Sequence, residues 1–410
     1  MIADHTDLDA LRDTMAASPI AYYGGFDPTA PSLHFGNLVL LVTMRRLQLA
    51  GHRPIGLVGG ATGLVGDPGG RTSERTLIDR DTVAEWVEHI RSQVERYLSF
   101  DGENAAIIVN NLDWTASMSA IDWLRDIGKH FSVSRMLAKD AVSARMEAGG
   151  ISYTEFSYQV MQALDFLELY RRHGCVLQMG GSDQWGNLTA GVDLIRRVEG
   201  ATVHAMATPL ITRPDGEKFG KSTGSTLWLD PARTSPFAFY QWFLNVDDSV
   251  AGTYLRVFSF RSRGEIEMLE AAIDQRPDAR EAQRALALEV TELVHGADAA
   301  AAAAEAGLAL FGQGDLASLD PATLEAAFAD LPRASLGDPM PSVLDLLVES
   351  GLSESRGQAR RTLNEGGAYI NNQRVTDPNA VPDRSELLAG RWLLIRRGKR
   401  NLAVAEAAVR

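Results

Sequence analysis

Cysteine is almost absent from this chain of 410 residues: Cys175 stands alone, so no disulfide can form within the chain. Cys175 and the eight histidines show no CxxC or HExxH spacing, which argues against a zinc site. No apolar run approaches the roughly 18 residues that span a bilayer. Residues 1–5 also lack the basic and apolar regions of a secretory signal. We therefore expect a cytoplasmic protein with no membrane segment and no protein-bound metal.

Positive charge is also scarce, because the net charge is −13, which by itself argues against a nucleic-acid partner. The charge is unevenly distributed: residues 335–410 carry 11 Lys or Arg against 9 Asp or Glu. A basic run at residues 396–400 lies in this tail. The tail is compatible with RNA binding, and equally with a solvated charged end.

Hydrophobic patterning predicts a strand–helix–strand unit near the start of the chain. Residues 20–26 and 54–58 have the composition of buried strands, and residues 36–50 have helical spacing between them. A helix at about 82–98 and a strand at 106–109 continue the pattern. The first of these strands ends on a pair of glycines and the second runs into another pair, at the sheet edge where such folds bind ligands. We expect no helix before the first strand.

Later segments predict a change of architecture. Residues 117–173 are mainly helical in pattern, and a strand at 176–179 precedes another glycine-rich strand end. Residues 236–330 are helical throughout, including an alanine-rich stretch, because alanine has the highest helix propensity. Prolines and a glycine predict a linker at 331–341. A small module with strands and helices follows.

The first candidate motif is Leu33-His34-Phe35-Gly36-Asn37, at the start of the 36–50 helix. A helix N-terminus offers unpaired N–H groups and partial positive charge to phosphate oxygens. His34 and Asn37 can add side-chain donors, and Gly36 lets a nucleotide approach the backbone. A simple N-cap with an incidental histidine is the alternative.

The second motif is Lys218-Phe219-Gly220-Lys221-Ser222, between Gly216 and Gly224. Two lysines around a glycine can clamp a polyphosphate, although surface lysines on a loop have the same pattern. Together, the order and spacing of the two motifs resemble the signatures of class I aminoacyl-tRNA synthetases, approximated as HIGH and KMSKS.

Four further segments resemble the bacterial tyrosyl-tRNA synthetases: YGGFDPTA at 23–30, GGATGLVGDP at 59–68, TEFSY at 154–158 and GGSDQWGN at 180–187. The resemblance implies an α/β protein with a Rossmann-like parallel-sheet catalytic domain, then an all-helical domain and a small α+β RNA-binding domain. The expected boundaries are 1–230, 231–330 and 342–410. A dimer-forming insertion is expected at 113–150 and a mobile KFGKS loop at 212–226.

The resemblance also implies a tyrosine site. Tyr23 and Asp165 would bind the phenol hydroxyl of the substrate. Asp67, Tyr158 and Gln162 would hold its ammonium group, with Gln178 in support.

The nucleotide site follows in the same way from the resemblance. Asp183 would bind the ribose, and Gln184 would lie near the activated carboxylate. The pyrophosphate would be surrounded by Arg71, Arg75, Lys218 and Lys221, together with His34 and Asn37. Further ATP contacts are implied at Asp27, Thr29, Gly36, Gly181 and Ser222.

Three positions depart from the common family pattern. Asn37 stands where a second histidine is frequent, and it keeps a donor but cannot carry charge. Gly24 replaces a residue that can be cysteine, so a side-chain contact to the ribose is impossible there. Arg71 replaces a frequent lysine, which keeps the charge but changes its geometry.

The C-terminal segment resembles an RNA-binding module shared with a ribosomal small-subunit protein, on the residues 342–348, 355–361 and 367–375. Arg356, Arg360 and Arg361 fall on one predicted helix, where they can face phosphates together. The implied partners are tyrosine, ATP with Mg²⁺ and tRNA(Tyr), in a homodimer that does not contact membranes.

Three alternatives remain open from sequence. One is a tryptophan-specific relative, against which the pair Tyr23 and Asp165 and the C-terminal module argue. Another is a synthetase-like protein recruited to RNA binding or regulation. The third is a small-molecule nucleotidyltransferase with a similar His-x-Gly-x turn, against which the KFGKS motif and the tail argue.

Overall fold

The structure is a computed structural model that describes residues 2–67, 78–211, 226–329, 331–398 and 401–407. The chain folds into two compact units. Unit 1 consists of Met1–Arg233 with Thr253–Phe260, and unit 2 consists of Thr234–Gly252 with Arg261–Arg410. Residues 253–260, which the sequence assigns to the helical domain, therefore pack with unit 1.

The centre of unit 1 is a six-stranded sheet. Its strands are β1 (Asp4–His5), β2 (Ala21–Phe26), β3 (Arg53–Val58), β4 (Ile107–Asn110), β5 (Cys175–Gly181) and β6 (His204–Thr208). The strand order is β1-β6-β5-β2-β3-β4. β1 runs antiparallel to β6, and the remaining neighbours are parallel. The parallel sheet predicted from the sequence is thus confirmed.

The position of the site follows from this strand order. The chain proceeds from β2 to β3 and β4 on one side, and β5 and β6 lie on the other side of β2. The crossovers from β2 and β5 therefore leave in opposite directions. A crevice opens beyond the carboxyl ends of two such strands, and ligands of open α/β sheets bind there.

In the described part of unit 1, ten α-helices connect and cover these strands. They are α1 (Leu8–Ala17), α2 (Phe35–Leu49), α3 (Thr62–Val65), α4 (Arg80–Glu95), α5 (Leu112–Thr115), α6 (Ala120–Asp122), α7 (Val133–Leu137), α8 (Asp140–Ala148), α9 (Tyr153–His173) and α10 (Trp185–Glu199). Within the described residues, no helix is both long and apolar enough to cross a membrane.

Helix α1 corrects the expectation that no helix precedes the first predicted strand. The Asp7 side chain caps α1 by accepting the N–H of Ala10, and Leu11 is its buried residue. A ten-residue helix that buries a single side chain has a weak hydrophobic period. The helix was missed because its signal is a cap rather than an apolar stripe.

Helix α2 is fixed to the body of unit 1 at several points. The hydroxyl of Tyr22 in β2 donates to the carbonyl of Met44. At the start of α2, the Phe35 ring packs against the rings of Tyr254 and Phe258, with centroids 5.7 and 4.8 Å away. Near its end, Arg46 donates to the carbonyl of Ser259 at 2.6 Å. These contacts explain why residues 253–260 belong to unit 1.

Unit 2 combines helices with a second sheet. The helices are α11 (Pro236–Leu244), α12 (Asp248–Phe258, which continues into unit 1), α13 (Arg263–Gln275), α14 (Glu281–His295), α15 (Ala297–Leu310), α16 (Pro321–Phe328), α17 (Val343–Glu349) and α18 (Arg356–Asn364). The strands are β7 (Arg333–Leu336), β8 (Ala368–Ile370), β9 (Gln373–Val375), β10 (Trp392–Arg397) and β11 (Asn401–Ala407). The strand order is β7-β11-β10-β8-β9.

Strand β7 corrects the linker predicted at 331–341. It pairs in parallel with β11, with Arg333 opposite Val404 and Leu336 opposite Ala407. Its side chains alternate between exposed and buried, as a half-buried strand requires. Prolines and a glycine just after it dominated the sequence signal, so a four-residue strand was overlooked.

The second sheet buries both of its faces. In β10, Leu393 and Ile395 pack in a core with α17 and α18, whereas Trp392 and Leu394 face the opposite way. The opposite core also contains Phe328 of α16 and three residues of α15: Ala306, Ala309 and Leu310. The period of two along a strand divides the side chains between these cores. The C-terminal sheet and the helices before it therefore share one hydrophobic core.

We expect Phe328→Ala to destabilise unit 2 by about 3–5 kcal/mol, the usual cost of emptying a buried phenylalanine site. Phe328 is fully buried and its ring lies 6.0 Å from that of Trp392. Hydrogen exchange should rise in α15 and in β10–β11 together. Leu308→Ala, at an exposed position of α15, is the matched control and should change stability by less than about 0.5 kcal/mol. Increased exchange confined to α16 would contradict the shared core.

Candidate active site

Two polar side chains face the crevice from neighbouring strands. Tyr23 of β2 lies opposite Gln178 of β5 in the sheet register. Both are buried, and neither the Tyr23 hydroxyl nor the amide atoms of Gln178 has a hydrogen-bond partner among the described residues. Burial raises the pKa of Tyr23 well above its usual value, and the nearby Asp165 carboxylate raises it further. Buried polar groups without partners are costly, so these atoms mark a place for a polar ligand.

Helix α9 supplies a second wall. Tyr158, Gln162 and Asp165 lie at positions i, i+4 and i+7, which share one face of a helix. Gln162 also has a buried amide oxygen without a partner among the described residues. The structure therefore places Tyr23 beside Gln178 on neighbouring strands, and Gln162 on the same face of α9 as Asp165.

Asp165 is a buried carboxylate held by two side chains that the sequence analysis missed. The Asn111 amide donates to Oδ2 at 3.0 Å, and the Trp114 indole donates to Oδ1 at 2.9 Å. Burial raises the pKa of Asp165 to about 7, and these two hydrogen bonds oppose the shift. The sequence contained a signal for Asn111, because this residue follows β4 at the same edge of the sheet as the glycine pairs. Each carboxylate oxygen can still accept another donor.

The hydrogen bonds continue to the far end of the pocket. Asn111 also donates to the Thr62 hydroxyl at 2.9 Å. Thr62 donates to Oδ1 of Asp27, and Tyr158 donates to Oδ2 of Asp27, each at 2.6 Å. We call this set the buried network: Tyr158, Asp27, Thr62, Asn111, Asp165 and Trp114.

The buried network changes the interpretation of Asp27. The resemblance implied that this carboxylate binds ATP, but both of its oxygens accept hydrogen bonds from protein side chains. Its observed place is the support of Tyr158. A methyl group at Gly59 would lie 2.0 Å from Oδ1 of Asp27, so Gly59 is needed for this packing.

A second group of polar residues follows β5. Gln184 donates to Asp67 at 2.7 Å and accepts from Asn187 at 2.9 Å. Asp183 lies in the same turn, where a methyl group at Gly181 would come within 2.8 Å of its Oδ1. A cavity of about 480 Å³ opens beside Asp67 and Asp183. The predicted ammonium and ribose ligands are thus neighbours.

The His34 motif forms the N-terminal cap of α2. Nδ1 of His34 accepts the N–H of Gly36 at 3.0 Å, and Oδ1 of Asn37 accepts the N–H of His34 at 3.0 Å. Burial lowers the pKa of His34. A neutral imidazole that accepts at Nδ1 carries its proton on Nε2, which leaves Nε2 as a donor. Asn37 can donate only through its amide nitrogen.

The cap corrects one expectation about phosphate binding. The first three N–H groups of α2 were predicted to be open, but all have protein partners. Phe35 donates to the Leu227 carbonyl, Gly36 to His34 Nδ1 and Asn37 to the His34 carbonyl. Gly36 is required because a methyl group there would lie 2.9 Å from Cε1 of His34. Phosphate contacts at this helix must come from side chains.

Two other predicted nucleotide positions are also placed. The N–H of Thr29 donates to the carbonyl of Asp27 at 2.8 Å, which closes a turn. A side chain at Gly24 would meet Sδ of Met44 at 2.6 Å and Leu40 at 3.2 Å. A side chain at Gly24 would therefore require Met44 and Leu40 to shift.

Several predicted site residues lie outside the described residues. They are Arg71, Arg75, Lys218, Lys221 and Ser222. Among the residues that the structure describes, no group of three or more His, Cys, Asp or Glu could hold a metal ion.

The predicted RNA-binding arginines lie on α18. Arg356, Arg360 and Arg361 are exposed, and Ala359, Thr362 and Leu363 form the buried side of the helix. Arg356 pairs with Asp345.

Comparison with known proteins identifies the family. Residues 15–312 match the family model described as tRNA synthetases class I (W and Y). Residues 323–405 match the model described as the tyrosine–tRNA ligase SYY-like C-terminal domain. A tyrosine–tRNA ligase from Streptomyces coelicolor is 61% identical over 408 residues, covering 99% of this chain and 96% of the relative. The chain belongs to this family.

Other members agree. A tyrosine–tRNA ligase from Mycobacterium bovis is 57% identical over 409 residues, covering 99% of this chain and 96% of the relative. The crystal structure of a truncated Aspergillus nidulans mitochondrial tyrosyl-tRNA synthetase has a TM-score of 0.67 and 31% identity. It covers 74% of this chain and 89% of that chain. A tryptophanyl-tRNA synthetase from Encephalitozoon cuniculi, at 14% identity and a TM-score of 0.56, shares the fold.

The raised pKa of Asp165 predicts a pH-dependent stability. With a folded pKa of about 7 and an unfolded value of about 3.9, the folded state holds a proton that the unfolded state has lost. The stabilisation is complete below about pH 4 and is lost as pH rises through about 7, by up to roughly 4 kcal/mol. Urea unfolding of the ligand-free protein across this range should show the decline. Asp165→Asn removes the titration, and an unchanged pH dependence in that variant would contradict the assignment.

Proposed function

We propose that this chain is a tyrosine–tRNA ligase that activates L-tyrosine with ATP and transfers the tyrosyl group to the 3′ end of tRNA(Tyr). The observation that carries the proposal is a set of buried polar atoms, on Tyr23, Gln162 and Gln178, that have no hydrogen-bond partner within the described parts of the chain. A buried donor and acceptor at the end of a pocket fit a phenol hydroxyl.

A phenol satisfies both ends of this arrangement. Its O–H donates to Asp165, and its oxygen accepts from the Tyr23 hydroxyl. An indole N–H can donate but cannot accept, and a phenyl ring does neither. Tryptophan or phenylalanine in this pocket would leave buried polar groups unpaired, which is the stronger basis for rejecting a substrate. This argument favours tyrosine over the tryptophan-specific alternative.

The ammonium group of the substrate belongs at the other end of the pocket. We assign Tyr158, Gln162 and Asp67 to this group, and the Gln184 amide donates to Asp67 at 2.7 Å. The substrate carboxylate is thereby held for attack on the α-phosphate of ATP. A carboxylate oxygen forms a bond to phosphorus, the bond to pyrophosphate breaks, and tyrosyl adenylate results. A terminal hydroxyl of tRNA then attacks the carbonyl carbon and releases AMP.

Charge develops on the departing pyrophosphate, so catalysis requires donors and cations near it. His34 offers Nε2–H and Asn37 its amide N–H groups, both on the fixed cap of α2. Arg71, Arg75, Lys218 and Lys221 would supply the positive charge, with Ser222 near them. ATP would enter with its own Mg²⁺. We place Asp183 at the ribose and Arg356, Arg360 and Arg361 at the tRNA backbone, and we assign the enzyme to the cytoplasm.

The test is ATP–pyrophosphate exchange with each amino acid, followed by charging of total tRNA with labelled tyrosine. Tyrosine alone should support exchange. Asp165→Ala should weaken tyrosine use by at least about 2 kcal/mol, since a hydrogen bond to a charged group is lost. Exchange driven by tryptophan would favour the alternative relative. Absence of exchange with tRNA binding retained would indicate a regulatory RNA-binding protein.

We also propose that the protein is a homodimer. Exposed large apolar side chains are concentrated between residues 112 and 153, and Ile121, Val133 and Leu124 are 74, 60 and 58% exposed. Apolar side chains concentrated in this way favour a protein partner. The region overlaps the predicted insertion at 113–150, and a symmetric pair of identical surfaces is the commonest way to cover it.

Substitution of Ile121 and Leu124 together by Asp should convert the dimer to a monomer, because like charges would meet across the symmetric interface. Size-exclusion chromatography with light scattering measures the mass. Met268→Asp is the control, since Met268 is 72% exposed on α13 in unit 2. A dimer that survives the double substitution would exclude this interface.

A further inference from the structure

The loop that carries His34 lies in the interior rather than on the surface. Ser32 and Leu33 are each 3% exposed, so their backbone groups cannot rely on water. The N–H of Leu33 donates to Oε1 of Gln93 at 2.8 Å. Nε2 of Gln93 donates to the Ser32 hydroxyl at 3.0 Å. Gln93 belongs to α4 and is itself buried. One side chain thus holds two consecutive residues of the loop.

The opposite side of the loop is held by residues 227–229. The N–H of Phe35 donates to the Leu227 carbonyl, and the N–H of Leu229 donates to the Leu33 carbonyl, each at 2.9 Å. These bonds form a short antiparallel bridge between His34 and Trp228. In sequence, residues 227–229 follow the KFGKS motif. The His34 loop is therefore tied to the chain that emerges from the second signature.

The N-terminal cap and these outer bonds have separate roles. The bonds among His34, Gly36 and Asn37 fix the imidazole relative to α2. They do not fix the loop relative to the rest of unit 1. That second alignment comes from Gln93 on one side and from Leu227 and Leu229 on the other.

We propose that Gln93 is a positioning residue for adenylate formation: it holds Leu33 against the 227–229 bridge and so sets where His34 presents its donor. The inference rests on the proposed function. Without Gln93, the Leu33 N–H is buried and unpaired, so the loop must shift to reach another partner. A shift of about 1 Å at a catalytic donor can cost 10²-fold in rate.

The test is Gln93→Met in the full-length protein, because methionine keeps the volume and removes both hydrogen bonds. The rate of tyrosyl adenylate formation at saturating ATP and tyrosine should fall at least tenfold. The dissociation constant for tyrosine should stay within twofold, since the hydrogen bonds of Gln93 in the described part of the chain go to Ser32 and Leu33 and not to the residues proposed to bind tyrosine. The single variant Ser32→Ala leaves the hydrogen bond from the Leu33 N–H to Gln93 intact. It should therefore form tyrosyl adenylate much faster than Gln93→Met does.

Gln48→Met is the matched control. Gln48 is also buried and bonds a loop, donating to the Ser99 carbonyl at 2.7 Å and accepting the Ser99 N–H at 2.9 Å. It lies at the opposite end of α2. This variant should lose a similar amount of thermal stability while its adenylate rate stays within about twofold of the original, the scatter expected without an effect on the site.

Equal rates in the two methionine variants would overturn the proposal, whether both are slow or both are normal. Hydrogen exchange provides a readout that is independent of activity. The amides of Leu33 and Phe35 should exchange faster in Gln93→Met, and their exchange rates should be unchanged in Gln48→Met. Unchanged exchange at Leu33 would also overturn it. If the unmodified protein forms no tyrosyl adenylate, the proposed function is refuted instead. The hydrogen-exchange comparison of the two methionine variants would then still decide whether Gln93 holds the loop.

Discussion

The buried network around Asp165 is the constraint on which the site depends. A carboxylate removed from water must be hydrogen-bonded, because an unpaired buried charge costs several kcal/mol. Asn111 and Trp114 meet this requirement from the segment after β4, and Thr62 extends the bonds to Asp27 after β2. The ends of three strands and the face of α9 are therefore fixed relative to one another. The pocket keeps its shape because changing one member leaves another unpaired.

The two ends of the site differ in how their polar groups are hydrogen-bonded. At the end that contains Tyr23, Gln162 and Gln178, buried polar atoms have no hydrogen-bond partner among the described residues, so a polar ligand would complete this end. The end at α2 is the reverse, because its backbone donors are already satisfied and only side-chain donors remain. In the proposed reaction, selectivity would come from the first end, where unpaired groups penalise a wrong substrate. Rate enhancement would come from the second end, where fixed donors meet the charge that appears during the reaction.

The sheet of unit 2 contributes side chains to two hydrophobic cores. Alternation along β10 and β11 sends side chains into two cores, one under the arginine helix α18 and one against α15 and α16. The exposed arginines therefore lie on the side of the sheet away from α15. Because the C-terminal segment shares a core with the helices before it, the orientation of its arginines relative to those helices is fixed.

The sequence by itself determined the parallel sheet and the position of α2, because hydrophobic period, glycine positions and motif order are local properties. The assignment of Tyr23, Asp165 and Gln178 to one site came from the resemblance to a family and not from these local patterns. The local patterns failed for α1 and β7, whose signals are a single cap and four alternating residues. Only the tertiary structure decided that Asn111 and Trp114 hold Asp165, that Asp27 supports Tyr158, and that Gln93 bonds the His34 loop. Those pairs are separated by about 50 to 130 residues in the chain, and nothing in local pattern states which distant donor reaches which acceptor. The strand order and the packing of α4 and α9 determine which donor pairs with which acceptor, since a buried donor bonds an acceptor that the fold brings within reach.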